Sequence, residues 1–102
     1  MAKLLIVDDE MHIRDLVQKY ATFENYESET AENGLEAIEK VKRNEYDLVI
    51  MDIMMPELDG FSAVKEIRKI SQVPVIMLSA RSEEYDKLYG FDLGIDDYVT
   101  KP

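Results

Sequence analysis

No cysteine occurs in the 102 residues, so neither a disulfide framework nor a thiolate metal site is open to the chain. Its four glycines are scattered, and neither a G-x-G-x-x-G run nor a P-loop is present, which removes the usual nucleotide-binding signatures. Apolar runs stay far below the ~20 residues of a membrane span, and the opening "MAKLLIVDDE" meets two aspartates too early for a signal peptide. Positive charge is scarce. With 12 basic against 22 acidic residues the formal net charge is −10, which opposes binding to phosphate backbones or anionic lipid. There is no internal repeat, low-complexity segment or linker. What remains, 46% hydrophobic and 33% charged, is the profile of one globular domain over residues 1–102. A soluble, cytoplasmic domain is expected, without a direct nucleic-acid or membrane partner.

Two hydrophobic patterns alternate along the chain. "KLLIV" (3–7), "DLVIM" (47–51) and "VPVIML" (73–78) are short, continuous apolar runs of the kind that form strands covered on both faces. "YVT" (98–100) predicts a weaker fifth strand and "YESET" (26–30) a polar edge strand. Between them Ile13, Leu16, Val17 and Tyr20 share one helical face, as do Gly34, Ala37, Ile38 and Val41. Ala63, Val64, Ile67 and Ile70 mark a third helix opening near Gly60. Tyr85, Leu88 and Tyr89 mark a fourth that stops before Gly94. The order βαβαβαβαβ predicts an α/β fold with a doubly wound five-stranded parallel sheet, whose ligands bind at the carboxyl ends of the strands.

Those ends carry Asp8 and Asp9, then Asp52, then Ser79 and Ala80, then Thr100, Lys101 and Pro102. Taken singly, each aspartate is equally a turn former or helix N-cap, and a strand-end serine equally a backbone partner. Together they place carboxylates, a hydroxyl and an ammonium on one rim. Carboxylates in one pocket repel unless a cation compensates them, and oxygen-only ligands without Cys or His favour a hard ion such as Mg²⁺. A carboxylate can also act as a nucleophile and form an acyl phosphate, with a metal and a lysine neutralising the phosphoryl oxygens and a serine hydroxyl hydrogen-bonding the product.

"LLIVDDE", "DLVIMDIMMPELDGF", "VPVIMLSA" and "GIDDYVTKP" resemble the receiver domain of two-component response regulators, from Lys3 to Pro102. The resemblance implies the flavodoxin-like strand order 2-1-3-4-5. It makes Asp52 the phosphoacceptor, taking its phosphoryl group from a sensor histidine kinase. Mg²⁺ would be held by Asp9 directly, Asp8 largely through water, Asp52 and the backbone carbonyl of Met54. Lys101 would pair with the phosphoryl group, and Ser79 with Tyr98 would form the switch pair. Without the family, Tyr98 reads as an ordinary half-buried strand residue. The run "KLYGFDLGIDDY" further resembles the subfamily that dimerises through the fourth helix and fifth strand and carries a winged-helix domain. Lys87, Asp96 and Asp97 would then be charged contacts, although a charge run is also what a solvated face looks like. In this account the chain is a phosphoacceptor that assists its own phosphorylation and dephosphorylation, not an enzyme with turnover.

The sequence stops at Pro102, where the family continues into a fifth helix, so the final helix is expected to be missing and no effector domain to be present. Apolar surface on the central strands should then be bare, leaving either marginal stability or self-association through that face. Other readings fare less well. An aspartyl-phosphate hydrolase needs an acid two residues after its nucleophile, and Met54 stands there. A calcium loop at "DLGIDDYVTKP" has Asp97 where the tight turn requires glycine. A scaffold without phosphate chemistry would not need Asp9 and Lys101 together. Met54 and Arg81 flank the site, where they could influence water access. His12, the sole histidine, is expected on the exposed side of the first helix, as a surface residue or a kinase contact.

Overall fold

Among the residues described by the computed structural model, 1–80 and 83–101, strands and helices alternate throughout. Arg81 and Pro102 lie outside the described residues. The elements are β1 (Lys3–Val7), α1 (Met11–Phe23), β2 (Glu27–Ala31), α2 (Gly34–Arg43), β3 (Leu48–Asp52), α3 (Gly60–Ile67), β4 (Val75–Ser79), α4 (Glu84–Leu93) and β5 (Asp97–Thr100). All neighbours are parallel, in the order β2-β1-β3-β4-β5. Both the fold class and the strand order are as expected, with strand ends moved by one or two residues.

Local chemistry sets the helix starts. The Asn33 side chain accepts the Glu36 N–H at 2.8 Å to open α2, and Asp59 accepts the Ser62 N–H at 2.8 Å to open α3. α4 ends on Gly94, whose φ of 103° is the left-handed conformation that favours glycine.

The alternation of each strand divides the sheet into two unequal faces. Leu5, Val7, Val49, Met51, Val75, Met77 and Tyr98 join Ala37, Val41, Phe61, Val64 and Ile67 in the main core, so α2 and α3 cover that side. On the other side Leu4 and Ile6 are buried against α1, which packs on β1 and β2. Farther along that face Leu48, Ile50, Ile76 and Leu78 are only half-buried, and Val99 is exposed. Apolar side chains on this face of β3, β4 and β5 are therefore only partly covered by the described residues.

Three helical expectations need correction. In α1 the buried residues are Arg14 and Ala21, while Leu16 and Tyr20 are exposed. α3 closes at Ile67, and Ile70 follows in a turn, exposed. α4 turns its apolar stripe outward, leaving Tyr85, Leu88 and Tyr89 exposed while Asp86 and Gly90 are buried. The cause lies at Gly90, where a Cβ would stand 2.6 Å from Ile95 Cδ1: the helix docks on its glycine face. Tyr89 keeps one inward contact, edge-on to Phe61 at 4.9 Å between ring centres.

The loop from β3 to α3 folds tightly over the strand end. The N–H groups of Met55 and Gly60 both donate to the Ile53 carbonyl, at 3.1 and 2.9 Å, and Leu58 N–H donates to Pro56 at 2.8 Å. A Cβ on Gly60 would lie 2.2 Å from the carbonyl oxygen of Asp52 and 2.8 Å from Ile53 Cα, both backbone atoms that cannot yield cheaply. Gly60→Ala should therefore cost about 1–3 kcal/mol in urea unfolding, the range for overpacking. An unchanged midpoint would show that the loop relaxes freely.

Candidate functional site

Register brings the separate strand ends level. Val7 pairs with Met51, Met51 with Met77, and Met77 with Tyr98, so one step later Asp8 lies alongside Asp52 and Leu78. Ser79 pairs with Thr100, and the Lys101 N–H donates to the Ser79 carbonyl at 2.7 Å, which ties the residue after β5 to the end of β4.

From that anchor the Lys101 ammonium stands 3.1 Å from Asp8 Oδ2 and 3.5 Å from Asp52 Oδ1. Asp8 and Asp52 are almost fully buried, at 2% and 4% exposure. Asp8 is held on every side. Its N–H donates to Ala31, Oδ1 accepts the Glu10 N–H at 3.0 Å, and its carbonyl accepts from Arg14 Nη1 at 2.7 Å. Among the described residues, no buried side-chain nitrogen or oxygen lacks a partner.

Two buried carboxylates share one ammonium, and the imbalance falls on Asp52. Burial, then the charge of Asp8, pushes the Asp52 carboxyl up from 3.8 to about 6; Lys101 and a backbone hydrogen bond from Met54 pull the other way without prevailing. Burial alone would lower Lys101, but the hydrogen bond to Asp8 and the charges of Asp52 and Asp8 outweigh it and hold the ammonium above its ordinary value.

The site can also hold a cation. Carboxylate oxygens of Asp8, Asp9 and Glu10 lie within 4.8 Å of one another, a cluster of oxygen donors alone. That chemistry, with the excess negative charge at Asp52, fits a hard divalent ion such as Mg²⁺. An open recess lined by Asp9, Met54, Met55 and Pro56 adjoins the cluster.

The remaining named residues fall in different places. Asp9 is exposed beside buried Asp8, and the Met54 side chain is 60% exposed at the rim. Ser79 is fully buried at the end of β4, and Tyr98 is buried in the main core rather than half-buried. Lys87 lies 4.0 Å from Glu84 on α4. Asp96 accepts the Val75 N–H at 2.8 Å and pairs with Arg68 at 3.5 Å, while Asp97 accepts the N–H of Tyr98. His12 is exposed, 3.3 Å from Glu10. Two residues at the site escaped the sequence reading. Glu10 sits within the "DDE" run and could have been counted with it; Arg14 gave no signal, because helical periodicity does not reveal a buried arginine.

Comparison with known families matches residues 4–102 to the response regulator receiver domain. Among curated proteins the chain is 48% identical over 102 residues to the transcriptional regulatory protein CpxR homolog of Haemophilus influenzae, covering 100% of this chain and 44% of that protein. It is 47% identical over 100 residues to the transcriptional regulatory protein ResD of Bacillus subtilis, covering 98% and 42% respectively. The chain thus spans less than half the length of these relatives. Among solved structures it is similar to the Vibrio cholerae chemotaxis protein CheY4, with a TM-score of 0.95 and 37% identity over 100% of this chain and 88% of that one. It is also similar to the response regulator protein TrrA from Thermotoga maritima in complex with Mg(2+)-BeF, with a TM-score of 0.90 and 42% identity over 100% and 88%.

The raised Asp52 carboxyl has a measurable consequence. Between its unfolded value of 3.8 and its folded value of about 6 the folded chain binds more protons, so stability is lost as pH rises through that window. In chelating, metal-free buffer, Asp52→Asn should exceed the wild type by about 1–2 kcal/mol near neutral pH, after discounting for solvent screening at the rim. The advantage should vanish below about pH 4. Urea titrations at both ends of the window check this, and a difference independent of pH would contradict it.

Proposed function

The chain belongs to the response regulator receiver domain family, and from that premise we propose that it is a phosphorylation-dependent signalling switch. Asp52 accepts a phosphoryl group from a histidine of a sensor kinase. The observation that carries this reading is the buried Asp52 carboxylate at the end of β3, 3.5 Å from an ammonium and beside a second buried carboxylate. In the transfer an Asp52 oxygen forms a bond to phosphorus while the bond from phosphorus to the histidine nitrogen of the donor breaks. The product is an acyl phosphate on the chain and a free imidazole on the kinase.

Each neighbour has a part. Lys101 neutralises the arriving phosphoryl oxygens, having been held at the site by Asp8 and by its backbone bond to Ser79. Asp8 and Asp9, with Asp52 and the Met54 carbonyl, would hold Mg²⁺, which would supply further positive charge there. The similarity to TrrA, solved in complex with Mg(2+)-BeF, supports Mg²⁺ as the ion. The Ser79 hydroxyl, at the end of the adjacent strand, turns toward the phosphoryl oxygens, and Tyr98 on β5 moves with it. Met54 stands where a hydrolase would need a general acid, which favours storage of the acyl phosphate over turnover.

The setting follows from the same reading. Among the described residues no helix is long and apolar enough to cross a membrane, and a cytoplasmic switch fits the family. A net charge of −10 disfavours direct contact with nucleic acid. In a longer protein like CpxR or ResD the switch would control transcription through another part of the chain. A second copy would be met through Lys87, Asp96 and Asp97, as the subfamily resemblance implies.

Incubation with Mg²⁺ and a small phosphodonor such as acetyl phosphate tests the reading. Wild type should gain the mass of one phosphoryl group, labile to hydroxylamine; Asp52→Asn and chelated samples should not. Sustained turnover of phosphomonoesters would favour a hydrolase, and labelling that survives Asp52→Asn would overturn the assignment.

A further inference from the structure

Arg14 is the one buried arginine among the described residues, and its position in the first turn of α1 directs it back over the turn that precedes the helix. Its side chain is 10% exposed, with Nη1 donating to the Asp8 carbonyl at 2.7 Å and Nη2 3.6 Å from Glu32 Oε1. Burying a guanidinium is costly unless its donors are used. Here one donor is spent on a backbone carbonyl at the site.

That carbonyl belongs to the peptide plane between Asp8 and Asp9. The next plane, between Asp9 and Glu10, is fixed by the Glu10 N–H donating to Asp8 Oδ1 at 3.0 Å. Both peptide planes that flank Asp9 are thus clamped, the first by Arg14 and the second by Asp8. Since the direction of a side chain is set by the backbone on either side of it, the exposed Asp9 carboxylate owes its aim to these two bonds.

We propose that Arg14 is a positioning residue for divalent-cation binding: by holding the Asp8 carbonyl it aims the Asp9 carboxylate into the acidic cluster. This rests on the site reading above and adds a residue that touches neither cation nor phosphoryl group. Outer partners that orient ligands commonly govern metal affinity by 10–100-fold.

The test uses the 102-residue chain and Mg²⁺ itself, with affinity measured by calorimetry and the Asp9 amide followed by NMR. Arg14→Met should weaken Mg²⁺ binding by about tenfold and shift the Asp9 amide in metal-free buffer, while labelling by acetyl phosphate at saturating Mg²⁺ stays within about twofold. Arg14→Lys, which keeps one donor for the carbonyl, should recover most of the affinity. Glu32→Gln should leave it unchanged, because the ion pair is not the clamp. Thermal melts confirm folding; if Arg14→Met loses its cooperative transition, Arg14→Gln replaces it with the same expectation. Unchanged affinity in the folded variant overturns the proposal, as does a lysine variant no better than methionine or a Glu32→Gln loss equal to it. A wild type that neither binds Mg²⁺ nor accepts a phosphoryl group overturns the site reading and this inference together. A wild type that does both, with Arg14→Met unaltered, overturns this inference alone.

Discussion

One ammonium between two buried carboxylates organises this molecule. Lys101 reaches Asp8 and Asp52 from a strand that enters the sheet last, so the contact joins the ends of β1, β3 and β5 across 93 residues of chain. An unpaired carboxylate in either place would be untenable, and even with Lys101 present the charges do not balance. The raised Asp52 carboxyl is the residue of that imbalance. A site left short of positive charge suits a hard cation.

The rest of the fold keeps that contact in place. Parallel register sets Asp8 level with Asp52, and the Lys101 backbone is tied to Ser79. Gly60 lets the following helix begin against the Asp52 carbonyl, where any side chain would collide. Arg14 closes the turn from the α1 side. These supports come from different elements, so the site is sensitive to the packing of the whole sheet. By contrast α4 docks on its Gly90 face, with Leu93 and the Tyr89–Phe61 ring contact beside it, and carries exposed aromatic residues on its outer side.

Much of this could be read from the sequence because two simple signals coincide. Continuous apolar runs such as "KLLIV" and "DLVIM" mark strands covered on both sides, and topology then dictates that their carboxyl ends meet. Asp8, Asp52, Ser79 and Lys101 therefore stand out in the sequence as one group. Helix orientation was not. In α4 the apolar residues do share a face, but a glycine permits closer approach than they do, and the docked face is the glycine one. In α1 periodicity favours Leu16 and Tyr20, whereas the buried residues are Ala21 and Arg14, the latter bonded to a carbonyl acceptor six residues earlier. Hydrophobic pattern reports which residues lie together; it does not report which polar group a buried side chain must satisfy.

The charge balance at Asp52 is the point on which the account turns, and carbon-detected NMR titration of its side-chain carboxyl reads it directly. In metal-free buffer the midpoint should fall near 6. It should rise in Lys101→Met, which removes the compensating ammonium, and fall when Mg²⁺ is added. A midpoint at the ordinary value near 3.8, indifferent to both changes, would contradict the account.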